Sequence, residues 1–87
     1  MIRSASFIKR QIGNQTVLVA VGEATKRFHG MISLNKTAAF IWDLLESEKT
    51  LDEIAAALAD KYEIDVETAA ADAAELLASL KEVGAVA

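Results

Sequence analysis

The residues of this chain that could do acid–base, nucleophilic or metal chemistry are few, and they stand apart. Its one histidine, His29, sits beside Gly30 on an alternating segment, with no carboxylate at ligand spacing around it. A metal site needs several converging donors, and a triad needs a nucleophile and an orienting group, so a lone imidazole builds neither. Asp43 and Glu46 lie three apart and share a helix face, but both flank an apolar stripe and are expected to face water. The four glycines are scattered at 13, 22, 30 and 84, so no phosphate-cradling loop exists. Cysteine is absent. The expectation is a non-enzyme with no cofactor and no bound metal.

Binding remains, and it depends on the scaffold. Eighty-seven residues make a single domain, 1–87, with one core and no linker. The first thirteen residues alternate and hold no hydrophobic block, so they are not a signal peptide. The longest apolar run of the first half, Val17 to Val21, is far too short to span a bilayer. No membrane partner is expected. A cysteine-free chain is compatible with a reducing compartment, and a cytoplasmic location is the expectation. The charge is polarised along the chain. Residues 1–36 hold six bases and one acid, a net +5, and residues 37–87 hold three bases and twelve acids, a net −9.

The first third reads as strands. Ser6 to Ile12 and Thr16 to Val21 flank Gly13-Asn14, a pair suited to a two-residue hairpin turn with glycine at positive φ. That turn sets Ile8 opposite Val19 and Arg10 opposite Val17 on one face, with Phe7 opposite Ala20 and Lys9 opposite Leu18 on the other. The first face is the more apolar and is assigned to the core. Glu23 to Lys26 reads as a polar connection. Alternation resumes from Phe28 to Leu34, with Phe28, Gly30, Ile32 and Leu34 on one side. A short strand then runs straight into a helix that carries the chain's one tryptophan, Trp42.

Three helices follow. Asn35 caps the first, whose stripe is Ala38, Ile41, Trp42 and Leu45. Thr50-Leu51-Asp52-Glu53 is a capping box for the second, whose apolar face holds Leu51, Ile54, Ala55, Leu58 and Tyr62. Asp65 caps the third, with Ala69, Ala73, Leu76, Leu77, Leu80 and Val83 as its stripe. Lys81 lies in its last turn and Gly84 just past its end. Strands followed by helices predict an α+β fold, a three-stranded antiparallel sheet with three helices on one face, and three helices beside a small sheet can form a small winged-helix-like domain.

A winged helix commonly reads DNA with its third helix. Here that helix carries Asp65, Glu67, Asp72, Glu75 and Glu82 against Lys81, and phosphates would repel it. No nucleic-acid partner is expected. A regulatory winged-helix or dimerisation module is the alternative reading. The favoured one is peptide binding. The third strand is last in the hairpin order, so it can lie at a sheet edge and accept a guest strand. Gly30 either lets a guest backbone approach or marks a bend. Replacing Ile32 with proline is expected to abolish binding by deleting an edge amide.

Three elements in this order resemble a known family. The first is Leu34-Asn35, then Thr37-Ala38, then Ile41-Trp42 with Leu44-Leu45. The second is Thr50-Leu51 with Glu53-Ile54, Leu58 and Tyr62. The third is Asp72, Leu76-Leu77, Leu80 and Gly84. Over residues 16–87 the chain looks like the PqqD family, named for a protein of pyrroloquinoline quinone biosynthesis. The resemblance implies a precursor-peptide recognition element: a small adaptor that binds the leader of a ribosomally made peptide and delivers it to a modifying enzyme, often a radical S-adenosylmethionine enzyme. It implies that the leader adds to the third strand, here Arg27, Phe28, His29, Gly30, Met31, Ile32 and Ser33, and lies against Ala69, Asp72, Ala73, Leu76 and Leu80. Phe28 or Met31 would take apolar leader side chains, and Lys26 and Arg27 would attract leader acids.

Overall fold

The computed structural model describes residues 1–28 and 30–87. His29, expected in the docking strand, lies outside the described residues. The architecture is α+β, three antiparallel strands followed by three helices: β1 (Phe7–Ile12), β2 (Gln15–Ala20), β3 (Met31–Leu34), α1 (Lys36–Leu44), α2 (Leu51–Tyr62) and α3 (Val66–Glu82). The sheet order is β1-β2-β3, so β3 lies at an edge.

The hairpin follows from its turn. Gly13, at a φ of 62°, and Asn14 join Ile12 to Gln15 in a two-residue loop. The expected pairs form: Phe7 with Ala20, Ile8 with Val19, Lys9 with Leu18 and Arg10 with Val17. The core face is the other one. Phe7, Leu18 and Ala20 are buried, and Ile8 is 40% exposed. In β1 and β2 alone the two faces are nearly matched in apolar content. The third strand decides between them. Ile32 pairs with Leu18 and Leu34 with Thr16, and directly opposite residues share a face. Both β3 residues pack on the core, so Leu18 and Phe7 must as well. Lys9, the charge on that face, reaches past the core edge to Asp43 of α1, with its Nζ 2.7 Å from one carboxylate oxygen. Val17, on the outer face, is nonetheless buried: β2 is the central strand, and Arg10 and Ser33 flank Val17 on either side.

The polar connection between β2 and β3 is ordered as a short 3-10 helix, Gly22–Lys26, which buries Ala24. The amides of Arg27 and Phe28 both donate to the Ala24 carbonyl and continue that turn. Phe28 is half-buried, its ring 6.0 Å from that of Phe7. Gly30 has a φ of 120°, a bend that only glycine adopts without strain. The third strand is therefore shorter than its alternation predicts. It begins at Met31, and Arg27, Phe28 and Gly30 lead into it.

All three predicted caps are in place. Asn35 accepts from the Ala38 amide at 2.8 Å. The Thr50 hydroxyl accepts from the Glu53 amide while the Glu53 carboxylate accepts from the Thr50 amide, a complete capping box. Asp65 accepts from the Thr68 amide at 2.8 Å. These bonds satisfy amides that a helix start otherwise leaves unpaired. They also hold both carboxyls below their ordinary pKa, through the Thr68 amide at Asp65 and the Thr50 amide at Glu53. At the end of α3, Gly84 takes a φ of 81°, its amide donates to Lys81 and that of Ala85 to Leu80, the double bond of a Schellman stop. The stop turns the chain back. Ile2 and Ala87 exchange amide–carbonyl bonds, and Ser4 donates to Ala85, so the two ends pair as a short antiparallel clasp around Arg3 and Val86.

The core sits between the sheet and the helices. Leu18, Ile41, Trp42, Leu45, Ile54, Leu58 and Leu80 are its largest fully enclosed side chains. Arg3 lies over the Trp42 ring at 5.7 Å. Burying one such aliphatic side chain contributes about 1.5–3 kcal/mol, so this cluster is where an 87-residue fold without cross-links finds its stability.

Candidate functional site

The candidate site is the free edge of β3 and what surrounds it. Which backbone groups face that edge follows from register. The Val21 amide donates to the Ser6 carbonyl, so Ser6 and Val21 form a hydrogen-bonded pair. Antiparallel ladders alternate, so Ile8–Val19, Arg10–Val17 and Ile12–Gln15 bond in the same way. On β2, Val17 and Val19 are thus committed to β1, and Thr16 and Leu18 turn toward β3. Their partners there are Leu34 and Ile32. The remaining β3 residues, Met31 and Ser33, direct their amides and carbonyls away from the sheet. Two residues therefore offer two donors and two acceptors to an incoming strand. The amide of Ile32 belongs to the β2–β3 ladder, so proline at 32 would damage the sheet, and Ser33 is the residue that tests the edge.

Side chains around this edge are mixed. Met31 is 58% exposed on the outer face of the sheet, in register with Val19 and Ile8. Ile32 faces the helices and packs against the core. Arg27 is exposed, and Lys26 is 3.3 Å from Glu23. Just past the end of β3 a cleft of about 190 Å³ separates the start of α1 from α3. It is lined by Asn35, Thr37, Ala38 and Ile41 on one side and Asp72 and Leu76 on the other.

The structure divides the expected residues of α3 into two groups. Asp72 is exposed and Leu76 half-buried, and both line the cleft. Ala69, Ala73 and Leu80 are at most 1% exposed and belong to the core. They seat the helix and offer no surface to a guest. Their spacing cannot reveal this, because Leu76 and Leu80 are one turn apart on the same apolar stripe. Asn35 and Thr37 are cleft walls that the apolar pattern does not mark. Their signal is position: Asn35 directly follows the edge strand and Thr37 lies two residues on. Among the described residues no cluster of histidine, cysteine or carboxylate side chains is arranged to hold a metal ion. No helix of the described residues is long and apolar enough to cross a membrane.

An α+β domain with an open strand edge and a small cleft at its end is the class that fold and geometry define. A family model described as Coenzyme PQQ synthesis protein D (PqqD) matches residues 4–86. The chain belongs to the PqqD family. The match reaches further toward the start than the resemblance over 16–87 and includes β1. Among solved structures, one described as TbiB1 in complex with the TbiA(beta) leader peptide has the same fold: TM-score 0.77, 24% sequence identity, 99% of this chain and 94% of that chain covered. The comparison with curated proteins found no match.

Proposed function

We propose that this chain is a non-catalytic adaptor that binds the leader of a ribosomally made precursor peptide by strand addition and presents it to a modifying enzyme. The observation that carries the reading is the pair of outward-facing backbone residues, Met31 and Ser33, on an edge strand. Main-chain hydrogen bonds there supply affinity without regard to sequence, and neighbouring side chains supply selection. Met31 on one side of the strand, and Leu76 with Asp72 at the cleft, are the side chains placed to select. Family membership supports the reading, as does a same-fold relative that was solved with a leader peptide. A radical S-adenosylmethionine enzyme is one class of modifying enzyme that the family resemblance implies, and a cytoplasmic location goes with this reading. DNA binding is disfavoured by the exposed acids Glu67, Asp72, Glu75 and Glu82 of α3.

Amide chemical-shift mapping with candidate leader peptides tests it. Shifts should concentrate on Met31–Leu34 and on Asp72 and Leu76. Shifts confined to other surfaces would sink the assignment.

A further inference from the structure

A second cleft, larger and of different chemistry, opens at the same end of β3. Its volume is about 930 Å³, and it lies between the hairpin tip, the start of α1 and the end of α2. Its apolar wall is the edge-to-face pair of Phe40 and Tyr62, with ring centroids 6.1 Å apart. Its charges are Lys36, Lys61 and Asp43. Asp43 is already held by Lys9 at 2.7 Å. Lys61 stacks its ammonium over Phe40 at 5.4 Å and over Tyr62 at 6.0 Å. Neither Lys36 nor Lys61 is in an ion pair among the described residues. The cleft is therefore cationic and aromatic in a chain whose helical half is otherwise strongly acidic.

We infer that this cleft is a second contact site for the precursor peptide, taking an acidic segment with an adjoining apolar side chain from the flank that leaves the end of β3. The inference rests on the strand-addition reading. Two observations carry it. The first is charge complementarity: two lysines beside a neutralised carboxylate attract side-chain carboxylates, and the ring faces take an apolar neighbour. The second is continuity. Ser33, Leu34 and Asn35 line this cleft, and Asn35 also walls the smaller cleft against α3. Whichever way a guest strand runs along β3, one of its flanks passes Leu34 and reaches Asn35. The edge then contributes sequence-blind affinity, and the lysine–aromatic cleft chooses which peptides stay.

The test is selection of a phage-displayed library of random peptides on three proteins: the wild type, the double variant Lys36→Gln/Lys61→Gln, and Ser33→Pro. Melting curves confirm that each is folded. The wild type should enrich peptides with an alternating β-forming core and acids clustered at one end. The double variant should keep the core preference and lose the acids. A synthetic wild-type-selected peptide should bind the double variant about five- to tenfold more weakly, with the gap closing as salt is raised. Cores that depend on Ser33 but carry no acids, or acids retained by the double variant, would overturn the inference and leave strand addition standing. Acid-dependent binding untouched by Ser33→Pro would overturn strand addition and leave the cleft. If the wild type enriches nothing, both fail.

Discussion

Ser33→Pro is the substitution that isolates the edge of β3 from the rest of the fold. Ser33 pairs with Val17, but its backbone groups face away from the sheet, and the β2–β3 ladder runs through Ile32 and Leu34. Proline is tolerated in edge strands where the lost amide faces solvent, so the free protein should melt close to the wild type. A guest strand meets a different surface. It loses the Ser33 donor, its own carbonyl is left without a partner, and the pyrrolidine ring projects into its path. A net hydrogen bond contributes about 0.5–1.5 kcal/mol, and an unsatisfied buried group costs about 1–3 kcal/mol. The sum is about 1.5–4.5 kcal/mol, or roughly 10- to 2000-fold in Kd. Fluorescence polarisation with a labelled leader peptide measures the loss, and a thermal melt run in parallel measures the fold. Ile32→Pro is the contrast: it should lower the melting temperature, because it deletes a bond to Leu18. Unchanged affinity in a folded Ser33→Pro protein would refute the register-based assignment of the edge.

Other outcomes can be checked on stability alone. Trp42, 2% exposed at the centre of the core, should cost about 3–5 kcal/mol on truncation to alanine, read as a shift in the urea midpoint. Glu63 is the one described residue other than glycine at positive φ, at 53° just past the end of α2. Glu63→Gly should stabilise by about 0.5–1 kcal/mol, since relief of left-handed strain outweighs the added freedom of the unfolded chain, and a rise in melting temperature checks it. The capping carboxyls of Asp65 and Glu53 sit below their ordinary pKa, so the stability they add is complete above the unfolded values and is lost as pH falls through the folded ones. The melting temperature should therefore drop below about pH 4. Asp65→Asn and Glu53→Gln should flatten that dependence.

Local chemistry made much of this fold legible in the chain. The three helix starts at Asn35, Thr50 and Asp65 are each announced by a side chain that can accept from an amide three residues on. The Gly13-Asn14 turn fixes the hairpin register to the residue. What failed was decided at a distance. The two faces of the hairpin hold similar apolar content, and it is β3, eleven or more residues beyond β2, that selects the Phe7–Leu18 face. The third strand reads longer than it is because Phe28 and Gly30 continue the alternation, although the 3-10 turn claims the backbone of Arg27 and Phe28. On α3, the stripe identified the apolar side chains but could not separate Leu76, at the cleft wall, from Leu80, in the core. That distinction depends on where α1 crosses.

The clasp between residues 2–4 and 85–87 makes the chain nearly a ring. Ile2 and Ala87 exchange backbone bonds, so these two residues lie side by side as a hydrogen-bonded pair, with about 5.5 Å between Cα atoms. The same closure has a kinetic side. Bringing residue 3 to residue 86 closes most of the chain, whereas α2 and α3 are sequence neighbours. Loop-closure entropy makes the clasp costlier to form early than the local pieces are.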